Sequence, residues 1–160
     1  MSNSKLEHTF DRGYKKYLEQ HHYYYLLKIP DIPFSKKNKQ PVDRFLFNEY
    51  KNIAIELKYT STDRMECRRI KDHQLEDLKL FKRIAGDSYL LFSLNGFEKV
   101  CLVEIDDYLQ FKKQLGQESF TYDHLDLMKY QEINVEKLRK HYRLDLRIFI
   151  PHQMIISSFM

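Results

Sequence analysis

Three residues in the first half of the chain have types and spacing suited to phosphate chemistry: Asp43, Glu56 and Lys58. Glu56 and Lys58 lie in Ile53-Ala54-Ile55-Glu56-Leu57-Lys58, a run that otherwise reads as a buried strand. Ionised groups are costly to bury without partners, so these residues are either surface decoration or a site. Side chains on a strand alternate faces, which sends Ile53, Ile55 and Leu57 one way and Ala54, Glu56 and Lys58 the other. Two residues of strand rise separate Glu56 from Lys58 by roughly 6.6 Å, so both reach one bound group. Asp43, on the neighbouring strand of a hairpin, would add a second carboxylate. Two carboxylates with water form an oxygen-rich site for a hard cation such as Mg²⁺. Such an ion polarises a phosphate oxygen and lowers the pKa of a bound water. Lys58 would orient that water or stabilise charge developing on the phosphate. The pattern fits phosphodiester hydrolysis. An isolated Glu-x-Lys in so charged a chain reads first as an exposed ion pair, and its weight comes from the elements around it.

Those elements can be read from periodicity and turn residues. Leu6, Phe10, Tyr14, Tyr17 and Leu18 predict a helix over 4–20. Tyr23-Tyr24-Tyr25-Leu26-Leu27 starts a strand. Pro30 and Pro33 break the chain before a basic loop with Lys36, Lys37 and Lys39. Strands over 43–47 and 53–58 flank a hairpin loop over 48–52. A polar, basic connection runs from Thr60 to Arg69. The spacing predicts a helix over 70–85, stopped by Gly86. Strands over 88–94 and 99–105 meet at the Asn95-Gly96 turn. A short helix follows over 106–115. Further helical spacing is read over 135–142, and 148–150 and 155–156 read as edge strand or tail. The order predicts an α/β domain, with a mixed central sheet flanked by helices. One domain spans 1–160, with its core at about 6–115 and a C-terminal extension over 116–160.

Along the helix over 70–85, Ile70, Gln74, Leu78, Phe81 and Ala85 form the inward stripe. Gln74 interrupts it, and a buried amide needs partners. Either it bonds to backbone or its carbonyl oxygen reaches a metal. His73 lies one position round the helix, toward the basic surface.

With 42% hydrophobic and 31% charged residues, the chain is expected to fold around a real core. It has no apolar run near membrane-spanning length and no signal-peptide pattern at its start, which predicts an intracellular protein. Cys67 and Cys101 are too few and too far apart for a disulfide framework or zinc site. Residues 1–83 hold 18 Lys and Arg against 12 Asp and Glu, a balance of +6, whereas residues 84–160 balance at −2. The basic half carries Asp43, Glu56 and Lys58, as expected if phosphate is a partner. Arg64, Arg68, Arg69 and Lys71 against Glu66 leave a local +3, and with Lys36, Lys37, Lys39, Arg44 and His73 they read either as nucleic-acid phosphate contacts or as a solvated surface. His21-His22 reads as surface, because adjacent histidines point apart. Tyr23 to Tyr25 read as core rather than a base-stacking platform. Glu104, Asp106 and Asp107 read as a strand-to-helix junction, with an aspartate capping the helix.

Together these residues resemble the PD-(D/E)xK nuclease superfamily, a restriction-endonuclease-like fold, and within it the RecU-type Holliday junction resolvases. Three segments carry the likeness. Leu6-Glu7, Tyr17-Leu18 and Lys28-Ile29-Pro30 resemble that family's first helix and strand. Val42-Asp43 with Ile55-Glu56-Leu57-Lys58-Tyr59-Thr60 resembles its active-site hairpin. Ile70-Lys71-Asp72-His73-Gln74-Leu75-Glu76 resembles its His-Gln helix. The likeness covers residues 6–94. It implies that Asp43, Glu56 and Gln74 help bind Mg²⁺, with Mn²⁺ as a substitute. It implies that Lys58 is the catalytic lysine and that Glu7, or Asp11 one turn later, is the helix carboxylate facing the site. It also implies a homodimer acting on four-way DNA junctions in the cytoplasm, of a bacterium or of a phage's host.

Only Asp31 to Val42 fills the interval where that family carries a long stalk, and Pro41 stands where it places a threonine. A compact, phage-type resolvase would use Lys36, Lys37, Lys39 and Arg44 in place of the stalk. Two other readings remain open on the residues. One is a restriction- or repair-type endonuclease acting on duplex DNA. The other is a non-catalytic DNA-binding module of the same fold.

Overall fold

The structure is a computed structural model that describes residues 3–29 and 42–152. Lys36, Lys37, Lys39, Pro41 and Ile155-Ile156 lie outside the described residues.

Helix α1 (Ser4–Tyr14) buries Leu6, Phe10 and Tyr14 at helical spacing, and a wider π-type turn over Lys15–Glu19 extends it to bury Leu18. Strands β1 (Tyr25–Lys28), β2 (Arg44–Phe47) and β3 (Asn52–Tyr59) form an antiparallel meander. Asn48 holds the β2–β3 turn, its side-chain oxygen accepting from the Tyr50 and Lys51 N–H groups. Helix α2 (Asp72–Ile84) then crosses over to β4 (Asp87–Leu94), which pairs in parallel with β3. A turn with Asn95 and Gly96 at φ 48° and 70° returns the chain to β5 (Lys99–Glu104). Helix α3 (Ile105–Leu115) follows, and β6 (Gln131–Glu132) completes the sheet in the order β1-β2-β3-β4-β5-β6.

The parallel pair β3–β4 is at the centre and covered on both faces, which is why both strands read as nearly continuous apolar runs. The alternation read from the sequence holds. Ala54, Leu90 and Phe92 pack with Leu78, Tyr108 and Phe111 under α2 and α3. Ile53, Ile55, Leu57 and Leu91 pack with Leu6, Phe10 and Leu18 under α1. Tyr24 is core, its hydroxyl donating to the Phe149 carbonyl, whereas Tyr25 is exposed. Cys67 and Cys101 are both free and buried. No helix among the described residues is long and apolar enough to cross a membrane.

Several expectations are corrected. Residues 135–142 are not a helix. Val135–Lys137 and Tyr142–Leu144 form a hairpin, tied by Arg143 to Glu136. Tertiary packing decides this. Leu144 is buried against α1, where Gly13 lets the backbones approach: a Cβ there would sit 2.3 Å from the Leu144 carbonyl oxygen. The C-terminal residues are thus part of the core, and 146–149 form a short 3₁₀ turn rather than a strand. The connection over 60–69 is not wholly polar loop, because Met65 and Cys67 are buried and Met65–Glu66 pairs with Ser119–Phe120. On α2 the buried face includes Leu75, and Ala85 is exposed. No aspartate caps α3. Glu104 precedes it without a capping bond, and Glu104 and Asp106 both reach Lys82.

Gly86 stops α2 for a different reason than a left-handed cap. Its φ is not positive, but a Cβ would lie 2.0 Å from the Asn52 carbonyl oxygen. Gly86→Ala must push β3 away from the helix end. It is expected to lower unfolding free energy by about 1–3 kcal/mol in urea denaturation.

Candidate active site

The β2–β3 register pairs Arg44 with Ile55, so the next rung sets Asp43 opposite Glu56. At that rung the carboxylate replaces the backbone ladder: the Leu57 N–H donates to Asp43 Oδ2 at 2.8 Å. Asp43 is therefore fixed to the strand that carries Glu56 and Lys58. Both of the latter point to the α2 side, and both are buried, Glu56 at 0% and Lys58 at 5% exposure.

The bonds among them form one network. Lys58 Nζ donates to Glu56 Oε1 at 2.5 Å and to Gln74 Oε1 at 3.3 Å. Gln74 Nε2 donates to Glu56 Oε1 at 2.6 Å, and the Lys71 N–H donates to Gln74 Oε1 at 3.0 Å. The amide orientation follows from its partners, since the ammonium and the N–H only donate and the carboxylate accepts. Gln74 Oε1 thus has both lone pairs taken. In this arrangement Gln74 holds Glu56 and Lys58 together across the strand–helix gap.

Glu56 Oε2 is left buried without a hydrogen-bond partner. Burial first, then the neighbouring Asp43 charge, pushes the Glu56 carboxyl up to about 7, against the pull of Lys58. Burial also raises Asp43, opposed by the Leu57 N–H and Lys58 and reinforced by Glu7. Two desolvated carboxylates and a single ammonium leave negative charge undercompensated, which is the electrostatic condition for cation binding. The donor set is all oxygen, as a hard cation requires, and the orphaned Glu56 Oε2 is an open ligand atom. Among the described residues no cluster of three His, Cys, Asp or Glu side chains gathers as a metal site. The fit is therefore to an ion that takes two carboxylates and keeps water, as Mg²⁺ does.

Arg44 is not on a DNA-facing surface. It is 5% exposed and shares the inward face of β2 with Leu46. Its guanidinium donates to Asp11 at 3.1 Å through Nε, to Glu7 at 3.2 Å through one terminal nitrogen and to its neighbour's Asp43 carbonyl at 2.8 Å through the other. Burial alone would lower its pKa, yet the bonds and charges of Asp11 and Glu7 raise it. The fork therefore docks α1 against the start of the active-site hairpin. Sequence reasoning missed this role. Its signal was an Arg at an inward strand position with two acids, Glu7 and Asp11, one helical turn apart to receive it. Of those two, Glu7 is the carboxylate whose charge reaches Asp43, while Asp11 is committed to Arg44 and to Lys28 at 2.6 Å.

The other assigned basic residues stand around the far end of β3. Arg64 and Arg68 are exposed, with Arg68 on Glu66 at 2.8 Å. Arg69 is half-buried, lies on Met65 Sδ and lines a cavity of about 310 Å³ with Tyr59, Thr60 and Ser61. Lys71 is exposed just before α2, and His73, the helix's second residue, is half-buried.

This hairpin, with its paired carboxylates and lysine, lies inside the segment that matches a known family. The model of the family described as Recombination protein U matches residues 35–148. The chain belongs to the RecU family. The RecU match begins after the α1 segment and runs through the C-terminal hairpin, so it reaches well beyond the residue 94 limit of the likeness read from the sequence. Among solved structures, the chain is similar to Hjc, a Holliday junction resolvase from the archaeal hyperthermophile Archaeoglobus fulgidus, with a TM-score of 0.49 and 14% identity over 76% of this chain and 93% of that one. Comparison with curated proteins gave no match.

Proposed function

We propose that this RecU-family chain is a divalent-metal-dependent, structure-selective endodeoxyribonuclease that resolves four-way DNA junctions as a homodimer. The observation that carries this reading is the buried Asp43–Glu56–Lys58 constellation, with Glu56 Oε2 open and its carboxyl raised. Burying these three groups is unfavourable for folding alone, and their chemistry is that of phosphodiester hydrolysis.

Asp43 and Glu56 would hold Mg²⁺, or Mn²⁺ in its place. When bound, the ion supplies a Lewis acid for the phosphate and lowers the pKa of water. Lys58, held by Glu56 and Gln74, presents its ammonium to the attacking water and to the charge gathering on the phosphate oxygens. The water oxygen forms a bond to phosphorus and the P–O3′ bond breaks. One water proton ends on the 3′-oxygen, giving 3′-hydroxyl and 5′-phosphate ends. Gln74 keeps the lysine and carboxylate in register, and Glu7, through Arg44, keeps α1 against the hairpin. Arg64, Arg68, Arg69, Lys71 and His73 flank the strand end on which a DNA backbone would lie.

The test is cleavage of labelled four-way junctions, linear duplex and flaps in Mg²⁺. Junction cutting that Lys58→Ala abolishes is expected. Preferential cutting of linear duplex would replace the resolvase reading with a restriction- or repair-type one, and binding without cutting would leave a non-catalytic module.

Metal binding has a readout independent of cutting. Glu56 titrates near 4.5 when free and at about 7 in the fold, so the folded chain keeps a proton that the unfolded chain gives up. Its contribution to stability is complete below the free value and is lost as pH rises through about 7. Without metal, the thermal midpoint is expected to fall between about pH 5 and about pH 8. Mg²⁺ should raise it at the higher pH and have little effect at the lower one, and Glu56→Gln should flatten both dependences. A metal effect of equal size at both pH values would contradict the assignment of Glu56 as ligand.

A further inference from the structure

A second basic surface lies on the opposite face of the sheet from Lys58. Helix α1 carries two polar stripes. Glu7 and Asp11 turn to Arg44, while Lys5, His8 and Arg12 turn away from it, toward the C-terminal hairpin turn. There, with Lys140 and His141, they line a groove of about 810 Å³. Lys5, His8, Lys140 and His141 are exposed, and none of them is in a salt bridge among the described residues. Arg12 Nε is bound to the Tyr142 carbonyl, which ties the two walls together. The single acid of the lining, Glu98, is turned to the Asn95 amide.

The floor is aromatic. Tyr59, the residue after Lys58, contacts Phe97 with ring centroids 5.5 Å apart, and Phe97 contacts Tyr142 at 4.8 Å. Tyr142 is 37% exposed. A row of rings under a cationic rim suits neither an apolar peptide nor a small acid. It matches an unpaired nucleic-acid strand, whose phosphates meet the rim and whose bases stack on rings. Because Tyr59 and Lys58 are adjacent on β3 and point to opposite faces, the groove and the Lys58 site lie on opposite faces of the same strand end.

We propose that the α1–hairpin groove holds an unpaired stretch of the DNA substrate, with phosphates on Lys5, His8, Lys140 and His141 and a base on Tyr142. The identity of the ligand as DNA rests on the nuclease reading, but the site's existence is tested without cutting. Binding of the full chain to a labelled four-way junction and to oligothymidylate is measured in EDTA across a salt series. Lys5→Glu with Lys140→Glu is expected to weaken junction binding at least about tenfold and to make the salt dependence shallower by about two counterions. The same reversals at the exposed Lys112 and Lys113 of α3 should leave binding within about twofold. Tyr142→Leu should weaken oligothymidylate about tenfold and leave duplex binding unchanged. Wild-type affinity in the Lys5/Lys140 variant, or an equal loss in the Lys112/Lys113 variant, overturns the groove. Equal weakening of single strand and duplex by Tyr142→Leu overturns its base-stacking floor. A wild-type chain that binds DNA in this way but never cuts it would defeat the nuclease reading and leave the groove standing.

Discussion

On the proposed function, Lys58→Ala is expected to lower junction cleavage by roughly 10²- to 10³-fold at saturating metal, the scale of losing a single preorganised charge at a transition state. DNA binding in EDTA is expected to stay close to wild type, because Lys58 is buried and offers little surface for ground-state contact. The loss should fall on the single-turnover rate rather than on affinity. The substitution also has a stability signature. Lys58 pulls the Glu56 carboxyl down against burial and the Asp43 charge. Without the ammonium, the Glu56 pKa rises further above about 7. Protonated Glu56 tolerates burial, so the thermal midpoint at about pH 5 should change little, while that at about pH 8 should drop. Cleavage by Lys58→Ala at the wild-type rate would remove the lysine from the chemistry. A drop in midpoint of equal size at both pH values would mean that the side chain matters for packing rather than charge.

Arg44→Ala is expected to be the most destabilising single change near the site. Its guanidinium satisfies two carboxylates and a carbonyl that converge on one buried point. Removing one partner of a fully buried ion network costs roughly 3–5 kcal/mol. Here Glu7 is 33% exposed and water can partly replace the fork, so a loss of about 2–3 kcal/mol in urea denaturation is expected. Arg44→Lys keeps the charge but cannot span Glu7, Asp11 and the Asp43 carbonyl at once, and should recover only part of this. The change also reaches the site. Arg44 helps offset the burial that raises Asp43. Its loss should also loosen the start of the hairpin that positions Asp43, and for that reason, rather than through charge, weaken Mg²⁺ binding measured by calorimetry at a pH where Glu56 is ionised. Full stability in Arg44→Ala would show that α1 is held by its apolar face alone.

Much of the site was legible because it lies on regular elements. The alternation of β3 placed Glu56 and Lys58 on one face before any coordinates, and the hairpin spacing brought Asp43 opposite Glu56. Gln74 stood out as the amide in an apolar stripe. What the stripe could not say was which atom of the amide would be used. That depended on Lys58 and the Lys71 N–H, which meet its carbonyl oxygen from two sides. Arg44 was misread for a related reason. Arginine near an active site reads as a phosphate contact, and only the docking of α1 shows two acids waiting for it in the core.

The C-terminal residues show the same limit. Val135, Leu138 and Tyr142 have helical spacing, yet the chain forms a hairpin there, because Leu144 is drawn into the gap that Gly13 leaves on α1. That hairpin then builds one wall of the groove beside the strand end. By itself, the sequence determined the elements whose period is strong and the identity of the carboxylate–lysine set, since local geometry dictates which side chains share a face. Only the tertiary structure decided which polar atoms are already satisfied, which cation is spent on the fold and which surfaces meet across the sheet, because those depend on partners far apart in the chain.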